Sequence, residues 1–351
     1  MVDTKHRNIC SLVMLGVLSF IGNFFCYYTF NGRFIFINSD VINSSSGNLT
    51  ISRMLTILAE ERFVAGFTYP NPKLCPNLGR KLKVVVMVIS SPDHFDKRIK
   101  IRKTWGQSRS DIAVVFLMGT VTNKGMQKSL DAERLANGDM VFAHFIEDYR
   151  NLTLKSMSMM QWVSEYCPEA HFLLKIDDDM YINIPRLLEV LNELKVDRKI
   201  MYGELIRWRT PERQDDSRYF VPLEQYPADI FPDYLIGPSY LLPASLASTI
   251  YQAALKQQFI AMEDVFITGV VAESLNLKRV GAPGFQNDYP LYKNDGACAV
   301  FKIIVISETN FRKYYKECES GLRGGHSMSP PREMSFLGNI SFKRSMDSLA
   351  A

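Results

Sequence analysis

Apolar and polar positions divide the chain into three zones. From residue 9 to residue 30 no charged side chain interrupts an apolar run that Lys5 and Arg7 precede and Arg33 follows. That run is long enough to cross a hydrocarbon layer of about 30 Å as a helix. It ends in Phe25, Tyr27, Tyr28 and Phe30, an aromatic interface belt rather than the small residues of a cleavage site. It therefore predicts an uncleaved anchor over 9–30 behind a cytoplasmic tail of 1–8. Residues 31–78 are polar and broken by prolines, as in "YPNPKLCPN", and read as a stem.

From 79 to 318 β-branched runs alternate with helical periods. "KLKVVVMVIS" is a strand buried on both faces. "SPDHFDKRIKIRKTW" predicts a helix with Ser91 as N-cap and Pro92 at its first position. "DIAVVFLMG" is a second strand, and "NKGMQKSLDAERLANG" a helix that stops at Asn137-Gly138. In "NLTLKSMSMMQWVSEYC", Leu152, Ser156, Met159, Val163 and Tyr166 form one helical stripe. "HFLLKI" is a further buried strand. This alternation predicts an α/β domain whose mixed, mostly parallel sheet is flanked by helices, with ligands collecting beyond the carboxyl ends of the strands. Residues 319–351 are rich in Gly, Ser and Met without a sustained period, and are expected to be disordered.

Composition adds little beyond a globular class: 47% hydrophobic, 22% charged, and a net charge of +4 without a basic block, which argues against nucleic acid as a partner. Sequons at Asn43, Asn48, Asn151 and Asn339 suggest that the chain beyond the apolar run is luminal. Outside that run lie Cys75, Cys167, Cys298 and Cys318. In an oxidising compartment these could form two disulfides; their positions favour Cys75–Cys167 and Cys298–Cys318.

Three clusters carry candidate chemistry. Asp177, Asp178 and Asp179 follow a buried strand. Carboxylates this close favour a hard divalent cation completed by substrate phosphates, unless they are a solvated turn that caps the next helix. Strand alternation would turn Asp177 and Asp179 to one side and Asp178 to the other. In "DKRIKIRKTWG", Arg98, Arg102 and Trp105 share a helical face, suited to a diphosphate or else a solvated basic face. Glu263 and Asp264 open the apolar segment "AMEDVFITGVVAESL", either as helix-dipole partners or as a general base in a partly apolar site.

The ordered series "RIKIRKTWG", "VFLMG", "EDYRNLTLKS", "FLLKIDDDMYIN", "YFVPLEQYPADIFPDYLIGPSYLLPAS" and "EDVFITG" resembles the β-1,3-galactosyltransferase family of glycosyltransferases (glycosyltransferase family 31) over about residues 81–307. The resemblance implies a GT-A fold, a UDP-sugar donor such as UDP-galactose, inversion at the anomeric carbon, and a single-pass type II Golgi protein with a luminal catalytic domain. It implies a glycoprotein or glycolipid acceptor, and Mn²⁺ or Mg²⁺ on Asp179 with Asp177. Asp177 and Asp178 would help to place the ribose, uracil or sugar. Arg98, Arg102 and Trp105 would line the nucleotide pocket. Asp264 would be the base with Glu263 beside it, and Gly237 and Tyr240 would border donor and acceptor. Ser307, followed by Glu308, stands where many members have a histidine near the metal. A family-fold chaperone or glycan-binding protein without transfer activity is the alternative.

Overall fold

The computed structural model of the chain describes residues 25–30, 33–38, 57–107, 109–194, 196–282, 284–286, 300 and 303–323. Two compact units divide at Leu55–Thr56. In the first, β1 (Phe25–Phe30) pairs antiparallel with β2 (Arg33–Asn38). The last six residues of the predicted membrane span are therefore strand and not helix. Their aromatic and β-branched content suits a pleated pair. Residues 1–24, with the predicted cytoplasmic tail and the rest of that predicted span, lie outside the described residues, as do Asn43, Asn48 and Asn339. Among the described residues no helix is long and apolar enough to cross a membrane.

The second unit runs α1 (Ala59–Arg62), β3 (Phe67–Tyr69), β4 (Val84–Ile89), α2 (Phe95–Lys103), β5 (Ile112–Thr120), α3 (Lys124–Asn137), β6 (Met140–Ile146), α4 (Leu152–Tyr166) and β7 (Phe172–Asp177). It continues through β8 (Met180–Ile182), α5 (Ile184–Glu193), β9 (Ile200–Ile206), β10 (Tyr234–Pro243), α6 (Ala247–Leu255), a π-helix (Val265–Val271) and α7 (Ala272–Ser274). It closes with β11 (Lys278–Gly281), β12 (Phe285–Gln286), β13 (Val305–Ser307) and α8 (Glu308–Arg323). Eight strands form one sheet in the order β11-β9-β10-β7-β4-β5-β6-β3. Strands β7, β4, β5 and β6 are parallel, β11 is parallel to β9, and β10 and β3 run antiparallel to their neighbours. The sheet is mixed and mostly parallel, as the alternation predicts. A small sheet, β12-β13-β8, takes up the chain just past the three aspartates.

Strand β4 shows why the run "VVVMVI" sits at the centre. Val84, Val86 and Val88 face the cluster containing Ile101, Leu130 and Leu187, from α2, α3 and α5. Val85, Met87 and Ile89 face the opposite cluster, with Met157 and Val163 of α4 and Ile250 of α6. Each such side chain contributes roughly 1.5–3 kcal/mol by leaving water. Helix α4 is buried over all of Thr153–Val163, wider than the predicted stripe, because it is covered on one side by the sheet and on another by α6.

Three boundaries differ from the sequence reading. Residues from Leu58 to Gly79, assigned to the stem on their prolines, belong to the second unit. Ala59 N–H donates to Gln257 O (2.9 Å), β3 extends the sheet beside β6, and Cys75 is joined to Cys167. Prolines here open 3₁₀ turns (Pro72–Leu74 and Pro76–Gly79) instead of disrupting structure. Helix α2 starts at Phe95 behind His94, not at Pro92, because residues 91–94 form a turn in which the hydroxyl of Ser91 bonds to the Asp93 carboxylate. Residues 319–323, placed in a disordered tail, continue α8. Phe311, Tyr314, Tyr315 and Cys318 recur at its helical period, and Phe311 stacks on Tyr181 at 3.6 Å.

Cys318 is disulfide-bonded as well, while Cys298, its favoured partner, lies outside the described residues. The Cys75–Cys167 bridge spans 92 residues and ties the segment before β4 to the end of α4. Replacing both cysteines by serine is expected to lower unfolding free energy by about 2–4 kcal/mol, measured by urea denaturation, because the unfolded chain regains that loop.

Candidate functional site

The three aspartates stand where β7 leaves the sheet, and their carboxylates go three ways. Asp178 is buried and accepts from His94 Nδ1 (2.8 Å), Lys97 Nζ (2.9 Å) and Ser91 N–H (3.4 Å). Burial raises its pKa, but the bonds from Lys97, His94 and Ser90 outweigh that and hold it below the usual aspartate range. Asp179 is the open one, 64% exposed, with Lys97 at 3.8 Å. Its carbonyl accepts from Glu308 N–H (2.9 Å), and Ser307 pairs with Met180 across β13 and β8. Asp177 accepts from Lys175 Nζ at 2.6 Å. Burial, together with the charges of Glu263 and Asp179, pushes its carboxyl up to about 6 against the pull of Lys175.

Lys175 joins this turn to the Glu263–Asp264 segment. Two residues before Asp177 on the same strand face, its ammonium is buried, donates to Asp177 and to the Gly237 carbonyl, and lies 3.8 Å from Glu263 Oε2. Burial disfavours its charge, yet Asp177, Glu263 and Asp264 more than compensate and raise its pKa. Glu263 is buried and accepts from the Tyr240 hydroxyl (2.6 Å), so it is a bridging carboxylate rather than an open one. Burial pushes its carboxyl above the ordinary range against the pull of Lys175.

Asp264 is half-buried. Its Oδ2 accepts from Gly237 N–H (3.0 Å) and its Oδ1 from Val265 N–H (2.9 Å). Burial raises its pKa, although those two donors and Lys175 oppose the shift. Gly237 lies in β10 where pairing with β9 shifts register between Leu235 and Tyr240. A Cβ there would stand 3.3 Å from Asp264 Oδ2, so only glycine brings the backbone this close without displacing the carboxylate. The segment after Asp264 is a π-helix, where the apolar period predicts an α-helix. Thr268 fastens it to β10: its hydroxyl accepts from Leu235 N–H (2.8 Å) and lies 2.7 Å from the Asp264 carbonyl. Single π turns of this kind recur at functional sites.

The arginines require a correction. Arg98 is fully buried, and all five of its N–H donors are occupied: two by Glu133 (2.9 and 2.7 Å), and one each by Ser90 Oγ (3.0 Å), Ser91 O (2.5 Å) and Pro92 O (3.1 Å). None is left for a phosphate. Arg102 donates to Asp139 (2.7 and 2.8 Å) and to Glu133 (2.6 Å), so its charge too is met by protein carboxylates. Trp105 is a core residue whose Nε1 donates to Met180 O (3.2 Å), just past the aspartates. These three side chains do not line a pocket together. They hold the β4–α2 turn, the helix after it and the start of β8 in place, so that His94 of the turn and Lys97 of α2 meet Asp178.

Among the described residues no three His, Cys, Asp or Glu side chains converge as a preformed metal site. Glu308 Oε1 takes both bonds from Arg312 (3.1 and 2.5 Å). The residues that sequence reasoning missed are Lys175, His94 and Lys97. Lys175 had a signal: a charged residue within the otherwise apolar strand "HFLLKI" needs a buried partner. Replacing Arg98 by leucine would leave Glu133 facing the core with one cation fewer. The expected cost is about 3–5 kcal/mol, read as a lower urea midpoint with an unchanged slope.

The chain is 35% identical over 199 residues to human beta-1,3-galactosyltransferase 5, covering 56% of this chain and 64% of that protein. It is 34% identical over 219 residues to the zebrafish (Danio rerio) lactosylceramide 1,3-N-acetyl-beta-D-glucosaminyltransferase A, covering 58% and 57%. It thus spans less than two thirds of the length of either relative. A galactosyltransferase crystallised with donor and acceptor sugar analogues covers 72% of this chain and 99% of its own at 8% identity and a TM-score of 0.33, too slight a likeness to bear on the site. The galactosyltransferase family profile matches residues 96–283, more than half of the chain, from the first turn of α2 to just past β11. The chain belongs to the galactosyltransferase family.

Proposed function

We propose that the chain is an inverting UDP-sugar transferase of GT-A type that builds a β-1,3 linkage to an acceptor glycan. The relatives' names, which describe galactosyl and N-acetylglucosaminyl transfer, support this reading. The observation that carries it is Asp264: a half-buried carboxylate with a raised pKa, oriented through both oxygens and joined through Gly237 and Lys175 to the aspartate turn. A base must be ionised yet basic enough to take a proton, and burial supplies that compromise.

Asp264 accepts the proton of the acceptor hydroxyl as the oxygen attacks the anomeric carbon from the face opposite UDP. Gly237 N–H and Val265 N–H keep the carboxylate from rotating away. Lys175 and Tyr240 hold Glu263 against the turn, so base and donor site share one support. A single displacement needs no covalent nucleophile. A hard divalent cation, Mn²⁺ or Mg²⁺, would be held by the exposed Asp179 carboxylate together with the donor's phosphates. Asp177 is already paired with Lys175 and is the weaker ligand candidate. When bound, such a cation supplies charge stabilisation to the departing diphosphate.

Residues 9–24, the part of the apolar run that precedes β1, support a membrane anchor, and the family resemblance adds the type II Golgi placement. The sequons and the Cys75–Cys167 disulfide support a luminal domain. Protease protection in sealed microsomes tests this placement; digestion of the catalytic domain without detergent would overturn it.

The activity is tested by incubating the purified chain with UDP-galactose, UDP-GlcNAc or UDP-GalNAc, Mn²⁺ and an acceptor panel, and measuring UDP released. Asp264→Asn is expected to keep donor binding and to lose about 10²–10⁴-fold in kcat. The acid limb of wild-type kcat is expected above the ordinary aspartate range, because a base with a raised pKa protonates earlier as pH falls. Full transfer by Asp264→Asn would remove it from the base role. Binding of UDP without turnover of any donor would favour the glycan-binding alternative, which Ser307 in place of a histidine supports.

A further inference from the structure

The excursion between β9 and β10 is ordered by its own hydrogen bonds and returns to Asp264. Arg213 donates to the carbonyls of Val221 (2.6 Å), Tyr226 (2.7 Å) and Ala228 (3.0 Å), closing the excursion on itself. Gln225 Oε1 accepts from Ala261 N–H (3.0 Å), and Gln258 donates to the Glu224 carbonyl. From the other side, the 3₁₀ turn Tyr149–Asn151 leads into α4, where Thr153 donates to Ile260 O (2.7 Å). The excursion and the Tyr149 turn therefore converge on Ile260–Ala261, immediately before Glu263 and Asp264.

Where they meet, the Arg218 guanidinium lies 4.6 Å from the centre of the Tyr149 ring and 5.2 Å from that of Tyr219. Both rings remain exposed, 45% and 48%. Among the described residues no carboxylate pairs with Arg218, in contrast to Arg98 and Arg102. Burial pushes the Tyr149 phenol above its ordinary range against the pull of Arg218. Arg218 also hydrogen-bonds to the Tyr149 hydroxyl, and a guanidinium with five N–H donors has others to offer a sugar's hydroxyls, while an exposed tyrosine face suits the C–H face of a pyranose.

We propose that Arg218, Tyr149 and Tyr219 form an acceptor subsite that holds a neutral hexopyranose unit of the acceptor glycan beside Asp264. This rests on the transferase reading and names where its acceptor sits. The subsite reads hydroxyl pairs and a sugar face rather than charge, so lipid-linked and peptide-linked glycans meet it alike.

The test measures KM for acceptor and for UDP-sugar in wild type, Arg218→Ala and Tyr219→Ala, with melting temperature as the folding control. The acceptor is a free oligosaccharide, the same sugar on a lipid, and the same sugar on a peptide. The expected result is a rise in acceptor KM of about tenfold for each variant, the worth of one stacking or cation–π contact, with UDP-sugar KM within about twofold of wild type. The rise should be equal on all three acceptors. An unchanged acceptor KM, an equal rise in donor KM, or a loss confined to the lipid- or peptide-linked form would overturn the subsite. If wild type turns over no UDP-sugar, the transferase reading has failed. Saturation-transfer NMR with the free oligosaccharide then decides the subsite: contact with wild type that Arg218→Ala loses supports it, and no contact with wild type sinks it.

Discussion

A buried ammonium must be met by opposite charge wherever the chain can supply it, and Lys175 imposes that requirement on three segments at once. Asp177 at the end of β7, the Gly237 carbonyl in β10 and Glu263 before the π-helix all turn toward it. Those segments are far apart in the chain, yet a single cation draws all three to within 3.8 Å of itself. The orientation of Asp264 follows, because the same residue whose carbonyl receives Lys175 offers its N–H to the Asp264 carboxylate. Removing one partner from such a network leaves the rest charged and desolvated, so these groups stand or fall together.

A second network works on the other side of β4. Arg98 and Arg102 share Glu133, and Arg102 also takes Asp139. Their role is architectural: they fix the turn and the helix after it, which send Ser91, His94 and Lys97 against Asp178. With Asp177 neutralised from one side and Asp178 from the other, Asp179 is left as the open carboxylate. The triplet is a graded set: Lys175, Lys97 and His94 offset part of the repulsion among three adjacent aspartates, and the charge of Asp179 still raises the Asp177 carboxyl.

The alternation of buried strands and helices was legible because each run carries its own period, and β4, β5 and β7 lie where it placed them. Asp264 and the aspartates were legible as motifs in order. The roles of Arg98 and Arg102 were not, because their partners Glu133 and Asp139 lie at and beyond the far end of another helix, and nothing local marks the pairing. The π-helix after Asp264 was also hidden, since an apolar segment has the same composition in either winding; Thr268 bonding to β10 is a tertiary contact. Residues 58–79 were misread for a related reason. Their prolines look like linker locally and become part of the domain only through the disulfide and the antiparallel β3.

The backbone bond between Asp179 and Glu308 joins two parts of the chain that are made far apart in time. Most of the large sheet can assemble as the chain grows, from β3 through β10. The edge of the aspartate turn cannot, because its partner strand β13 and the covering helix α8 come from the last stretch of the domain. Closing so long a loop is slow compared with pairing neighbouring strands. The aspartate turn therefore depends on the last stretch of the domain, and a chain cut before β13 would present Asp179 without its backbone partner.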